Sequence, residues 1–300
     1  MCYIYIMKTI RTLECVDFRK LEAEIKKEIA DALGYSSSNF FELPRKAKNN
    51  LIARISEASK KMDIDQEKNA QILKELQNVS IYVVKEGGNM CNSHDIDFPS
   101  GEKRIATKLI VMGVNNNVEE LKMNDRLSVL YHEGIHACQR NSYIVEQNGN
   151  DFLYTKTGAR IRKQKIKESG ELIDIYNRGV GINEGITTFR ELQLHAALEN
   201  KNHLDFNKKD YTYKISVDHI RDLYKNNRKE FDRLEAATWE TDLSKFMGSM
   251  HDIHLEDRKM AVKNIKRTSV RVSLDVLHET RGIKNSANRG LAKAALKTLG

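Results

Sequence analysis

The segment from about 118 to 140 constrains the fold of this 300-residue chain most, because its apolar residues recur at helical spacing. They lie at i, i+3, i+4, i+7, i+8 and i+11, namely Leu127, Leu130, Tyr131, Gly134, Ile135 and Cys138. A helix with such a stripe buries one face against other elements. The sequence therefore predicts a long helix with one buried face.

Two stretches before this helix have the β-branched and aromatic composition of strands. The first covers residues 79–84 and ends at a pair of glycines, and the second covers residues 105–114 and ends at three asparagines. The polar residues between them, 89–101, predict a loop.

Helical periodicity dominates the rest of the chain. Residues 17–77 are predicted to form helices, and so is everything after 118 except a connection at about 148–182. The chain has only two prolines, which suits a largely helical protein. We therefore expect an α+β, mostly helical fold, with a small mixed sheet between two helical blocks.

Charge and cysteine content limit the classes of partner. The formal net charge is +8, but basic residues alternate with acidic ones, as at residues 19–22, so a solvated mixed surface is expected rather than a nucleic-acid partner. No stretch is long enough to span a membrane. The four cysteines are scattered, which suits reduced thiols. We expect a cytoplasmic protein, or one exported without a cleaved signal peptide.

The predicted helix carries the sequence His132-Glu133-Gly134-Ile135-His136. Histidines four residues apart point the same way from successive turns, so two imidazoles can bind one ion. Glu133 projects about 100° away from His132, where it can deprotonate a metal-activated water without binding the metal. Gly134 costs about 1 kcal/mol relative to alanine, so we expect another backbone to approach closely there.

A third ligand is expected downstream, because catalytic zinc usually has three protein ligands. Residues 179–189 open another predicted helix, with Ile182, Ile186 and Phe189 turned inward. Glu184 lies in its first turn. A carboxylate there can equally be a favourable partner of the helix dipole, so its position alone leaves both roles open.

The two segments together resemble the Glu-zincins, zinc peptidases in which HExxH is completed by a glutamate on the next helix. They are most similar to bacterial members with an Asn-Glu-Gly segment at that ligand, and the resemblance covers about residues 79–225. It implies that His132, His136 and Glu184 bind one catalytic Zn²⁺ and that Glu133 is the general base.

The chain departs from this family at Thr188. Four residues after the ligand glutamate, such proteins usually have an acidic residue that orients a ligand histidine. A hydroxyl raises imidazole basicity less, so the departure predicts weaker metal binding. Glu191, two helical turns after Glu184, is the alternative ligand.

The oxyanion of the reaction also needs a hydrogen-bond donor. Tyr211 lies in a segment similar to a tyrosine-bearing segment of the same proteins, followed by Tyr213 and then His219 as further candidates. A tyrosine beside a helix is often only a packing residue. By analogy with the Glu-zincins, the predicted strand at 105–114 would form the edge of the sheet and bind an extended peptide there.

Two weaker clusters complete the candidates. His251 and His254 precede two acidic residues and could suggest a second metal, although such a pattern is usually a solvated helix face. Cys91 shares its predicted loop with His94 and Asp95, and a cysteine there could cap a zinc ion.

The sequence thus predicts an N-terminal helical region at 1–77, a zincin-like domain of metzincin/thermolysin type at 78–245, and a basic helical region at 246–300. The predicted function is zinc-dependent hydrolysis of a peptide or protein. Two alternatives stay open. One is a proteolytic effector, toxin or regulator with a single target. The other is a non-catalytic, zinc-containing binding protein with a basic surface.

Overall fold

The computed structural model describes residues 9–35, 40–84, 91–100, 103–113, 123–202 and 213–260. The strands are, in chain order, β1 (Thr9–Thr12), β2 (Cys15–Asp17), β3 (Phe40–Glu42), β4 (Ser80–Val84), β5 (Cys91–Ser100), β6 (Lys103–Gly113), β7 (Arg140–Gln147), β8 (Asn150–Thr157), β9 (Arg160–Ile166) and β10 (Leu172–Arg178). The helices are α1 (Ala23–Ala32), α2 (Arg45–Ser59), α3 (Gln66–Asn78), α4 (Met123–Gln139), α5 (Val180–Leu198), α6 (Lys214–Asn226), α7 (Arg228–Trp239) and α8 (243–260). The α+β class is confirmed.

The first sheet is mixed and centred on β6. Strands β2 and β4 pair in parallel with successive parts of β6, and β5 pairs antiparallel with almost its full length. Strand β3 adds to β4. Since β6 is hydrogen-bonded on both sides, it is an internal strand, and β5 forms the edge of the sheet in the described part of the chain.

The edge position of β5 corrects two predictions. Residues 89–101 were expected to form a loop, and 105–114 to form the edge strand. Strand β5 is polar and contains Pro99. Such a composition reads as a loop, but an edge strand tolerates it because one side of the strand donates no ladder hydrogen bonds.

The second sheet is antiparallel, with the order β1-β7-β8-β9-β10. It replaces the helix predicted up to about 148 and the connection predicted at 148–182, so the expectation of one small sheet was wrong. Its strands carry many charged residues, which weakened the strand pattern. The sequence did contain one local signal, the pair Asn148-Gly149, which is typical of a β-hairpin turn. Both residues have positive φ between β7 and β8, as such a tight turn requires.

Helix α4 lies between two parts of the core. One of its faces packs against α2, α3 and the mixed sheet through a set of buried apolar residues: Ile52, Ile55, Ile72, Leu76, Ile81, Ile110, Leu127, Leu130, Tyr131 and Ile135. The close approach at Gly134 comes from the side chain of Leu76, whose Cγ would be 2.7 Å from an added Cβ, and not from another backbone.

The antiparallel sheet packs one face against the later helices. Tyr143, Tyr154 and Ile161 of this sheet share a buried cluster with side chains of α5, α6, α7 and α8. The predicted regions 1–77 and 246–300 thus both contribute helices to buried clusters, through α2, α3 and α8, while residues 261–300 lie outside the described part. Among the described residues, no helix has the length and apolar character that a membrane span requires.

Candidate metal centre

Two histidines of α4 and one glutamate of α5 converge in the interior. His132 Nε2 lies 3.0 Å from His136 Nε2. The Oε2 atom of Glu184 lies 3.5 Å from the first of these nitrogens and 3.4 Å from the second. All three residues are buried, and their candidate ligand atoms lie within 4.8 Å of one another. This group could bind a metal ion.

The local sequence explains how each helix presents its ligands. On α4 the histidines border the stripe that packs against α2 and α3, so burial of the stripe places both imidazoles in the interior. On α5, Ile182, Ile186 and Phe189 are at most 3% exposed, as their spacing predicted. They pack into the cluster shared by the antiparallel sheet and the later helices. Glu184, two residues after Ile182, projects from a different face of α5 and faces the histidines of α4.

Glu191 contacts the other nitrogen of a ligand histidine. Its Oε2 lies 3.0 Å from His132 Nδ1, whereas Glu184 faces Nε2 of the same ring. Glu191 is therefore outside the group of converging ligand atoms and can orient His132 instead. Thr188, where the family resemblance placed the orienting residue, has a buried Oγ1 without a hydrogen-bond partner among the described residues. The spacing of Glu184 and Glu191, two turns on one helix face, was the available signal.

Asn183 belongs to the Asn-Glu-Gly segment but was given no role of its own from the sequence, and it contacts both helices of the group. Its Nδ2 lies 3.3 Å from Glu184 Oε1 and 3.4 Å from His136 Nδ1. Its Oδ1 accepts a hydrogen bond from the backbone N–H of Ala159, in the turn between β8 and β9. That turn passes so close that a Cβ on Gly158 would lie 2.0 Å from Asn183 Oδ1.

Burial and hydrogen bonding oppose each other in the pKa values of this group. Burial alone would lower the pKa of His132, but hydrogen bonds to Glu184 and Glu191 raise it. Burial alone would raise the pKa of Glu184, but hydrogen bonds from His132 and His136 lower it. The carboxylate thus stays charged in the interior, where a cation bound to it would be favoured.

Glu133 lies beside the group without joining it. Its side chain is buried, and Oε2 accepts a hydrogen bond of 2.7 Å from the backbone N–H of Ser93 on β5. This contact orients the carboxylate and brings the edge strand next to the metal ligands. Nothing in the sequence of residues 89–101 indicated it.

The candidate oxyanion donors have different positions. Tyr211 lies outside the described residues. Tyr213 precedes α6 with φ of +66° and is 45% exposed; partial burial and the charges of Glu184 and Glu133 raise its pKa. His219 is buried, and its Nε2 lies 2.8 Å from Glu256 Oε2 of α8. This ring nitrogen is therefore paired with the carboxylate of Glu256.

The weaker clusters do not converge on an ion within the described residues. His94 Nε2 lies 3.1 Å from the hydroxyl of Tyr35. Burial and the nearby charges of Glu133 and Glu191 raise the pKa of Cys91, which disfavours the thiolate that binds zinc. Asp257, one of the two acidic residues after His254, accepts a hydrogen bond from the backbone N–H of Ile182 at the start of α5.

No protein-family model matches this chain, and neither a curated protein nor a solved structure shows significant similarity to it. Function must therefore be inferred from the side chains themselves. They comprise two imidazoles and a carboxylate that can share one cation, a separately oriented carboxylate in Glu133, and an edge strand beside both.

Proposed function

We propose that this protein is a zinc-dependent peptidase of the zincin-like, Glu-zincin type. The observation that carries the proposal is the convergence of His132, His136 and Glu184 next to a carboxylate, Glu133, that is not part of the converging group. A purely structural metal site has no use for such a carboxylate.

The donor set favours a transition metal such as zinc over magnesium and calcium. Imidazole nitrogens suit zinc, copper, iron and nickel, whereas magnesium and calcium prefer oxygen ligands. Two histidines and one glutamate are a known ligand set of catalytic zinc, and three protein ligands are the number that such sites use. When bound, zinc would acidify a water molecule and polarise the substrate carbonyl.

The chain's own residues supply the proton transfers and the substrate contacts. Glu133, held by the backbone of Ser93, would accept a proton from the attacking water and pass it to the leaving amine. The hydroxyl of Tyr213 or of Tyr211 would donate a hydrogen bond to the oxyanion. Strand β5 would align an extended peptide by backbone pairing along its outer edge.

Replacement of Glu133 by Gln tests the general base directly. The variant keeps the size and hydrogen-bonding capacity of the side chain but cannot accept the proton. We expect an unchanged zinc content and a loss of turnover of about 10²–10⁴-fold. Zinc content by elemental analysis and cleavage of protein substrates provide the readouts, with His132→Ala as the control that loses the metal.

The choice of substrates separates the alternatives. Casein cleavage would indicate a broad peptidase, whereas cleavage of single proteins in a cell lysate would indicate a target-specific effector, toxin or regulator. Zinc bound in stoichiometric amount with no cleavage of either substrate would favour the non-catalytic binding protein. Turnover that persists in Glu133→Gln would reject the proposed mechanism.

A further inference from the structure

One end of the antiparallel sheet lies against the candidate metal centre. Strand β7 follows α4 directly, and α5 follows β10 after a single residue. At this end the turn between β8 and β9 contacts Asn183, the neighbour of Glu184, through the N–H of Ala159. Arg160 is the next residue and begins β9.

Arg160 faces the same side of the sheet as residues that contact β5. It pairs across the strands with Thr157, which in turn pairs with Arg140. Arg140 Nη2 lies 2.8 Å from Asp97 Oδ2 on β5. Asp97 is four residues after Ser93, the residue of β5 whose backbone N–H donates to Glu133. This side of the sheet therefore forms a wall beside the edge strand, next to the metal ligands.

The wall carries a positive charge without a carboxylate partner. Arg140 is paired with Asp97, and Arg162 makes two hydrogen bonds of 2.8 Å to Asp174. Arg160 is half-buried, and its Nε donates a hydrogen bond of 2.9 Å to the neutral side chain of Asn177. No described carboxylate lies within salt-bridge distance of Arg160.

The positive charge of Arg160 also influences Tyr213, a candidate oxyanion donor at the start of α6. Burial and the negative charges of Glu184 and Glu133 raise the pKa of this tyrosine, and the positive charge of Arg160 acts in the opposite direction. The guanidinium and both site carboxylates thus act on the same phenol.

We propose that Arg160 binds a carboxylate of the substrate beside the bond that is cleaved, and so determines specificity. The carboxylate would come from an acidic side chain or from the C-terminus of the peptide. A guanidinium binds either one through paired, charge-assisted hydrogen bonds from its terminal nitrogens, which Asn177 does not engage. This inference rests on the proposed peptidase function.

A degenerate library of short synthetic peptides provides the test, prepared in four sets: with a central Glu or a central Gln, and with a C-terminal acid or amide. We expect the zinc-loaded wild-type protein to cleave one carboxylate-bearing set about 10- to 100-fold more efficiently than its neutral counterpart. The preferred set identifies the source of the carboxylate. Arg160→Gln should lose this preference, and Arg160→Glu should reverse it in favour of the neutral counterpart.

Lys165→Gln is the matched control, because it removes one positive charge from the same strand, five residues further from the turn. It should keep the wild-type preference. Equal preference of wild type and Arg160→Gln, or an equal loss in Lys165→Gln, would overturn the role of Arg160 while leaving the peptidase function intact.

A binding measurement decides the inference even if wild type cleaves none of the sets, a result that would contradict the proposed function. The four sets are passed over immobilised, zinc-loaded Glu133→Gln protein, with and without Arg160→Gln, and retained peptides are counted by mass spectrometry. Enrichment of one carboxylate-bearing set that requires Arg160 supports the inference. Equal retention of acidic and neutral sets overturns it.

Discussion

The two helices of the candidate metal centre position their ligands in different ways. In α4, both imidazoles depend on the period of one helix, which is buried against α2 and α3. In α5, the position of Glu184 depends on contacts with residues far away in the chain: Asn183 is held by Ala159, and the helix start is capped by Asp257. One half of the centre is therefore local in origin, and the other half depends on the whole fold.

This difference teaches where the centre should be sensitive. Substitution of a ligand on either helix should weaken metal binding to a similar extent, because the ion needs all three ligands. Substitutions in the antiparallel sheet should act first on the α5 half, since the turn between β8 and β9 contacts Asn183. The following experiments test this distinction.

The largest effect is expected from loss of a ligand on either helix. His136→Ala and Glu184→Ala should each reduce zinc affinity by more than about 100-fold, which exceeds the effect of typical outer-shell partners. Competition with a chromogenic chelator measures the affinity, and circular dichroism checks the fold. An affinity of Glu184→Ala close to that of wild type would mean that α5 supplies no ligand.

Gly158→Ala should be the most damaging small change in the antiparallel sheet. Its φ is +56°, and an added Cβ would lie 2.0 Å from Asn183 Oδ1 and 2.6 Å from Gln139 Oε1. We expect a loss of about 2–5 kcal/mol in the free energy of unfolding, measured by chemical denaturation. Gly149→Ala is the control: its φ is +71° but no atom lies within 4 Å, so about 1–2 kcal/mol is expected. Equal losses would show that the contacts of Gly158 with Asn183 and Gln139 do not matter.

The pH dependence of stability should report on Lys156, just before this turn. Its Nζ donates to the carbonyl oxygen of Thr238, and burial lowers its pKa to about 7. An unfolded lysine titrates at about 10.4, so between these values the unfolded chain binds more protons and stability rises with pH. Between pH 7 and 10, the free energy of unfolding of the wild type should rise by on the order of 3 kcal/mol relative to that of Lys156→Met. Parallel stability curves for the two proteins would contradict this.

The smallest effect tests which residue orients His132. Glu191→Gln should weaken zinc binding by about 10- to 100-fold, because the carboxylate 3.0 Å from Nδ1 is replaced by an amide. Thr188→Ala should leave the affinity nearly unchanged, since its hydroxyl has no hydrogen-bond partner among the described residues. The opposite order of effects would assign the orienting role to Thr188.

Local patterns predicted the helices well and the strands only in part. The buried stripe of α4 and the inward residues of α5 follow from helical periodicity, and β4 and β6 follow from β-branched composition. Strand β5 was missed because it is polar, and β7 to β10 were missed because charged residues interrupt their alternation. Such strands acquire their structure from pairing with neighbours, which a single segment does not reveal.

The sequence by itself determined the spacing of His132, Glu133 and His136, since a helix of constant period orients side chains three or four residues apart in a known way. Only the tertiary structure decided that Glu184 faces these histidines, that Glu191 rather than Thr188 contacts His132, and that β5 holds Glu133. The physical reason is that helical spacing is a property of neighbouring residues, whereas convergence of two helices and an edge strand depends on how distant segments pack into one core.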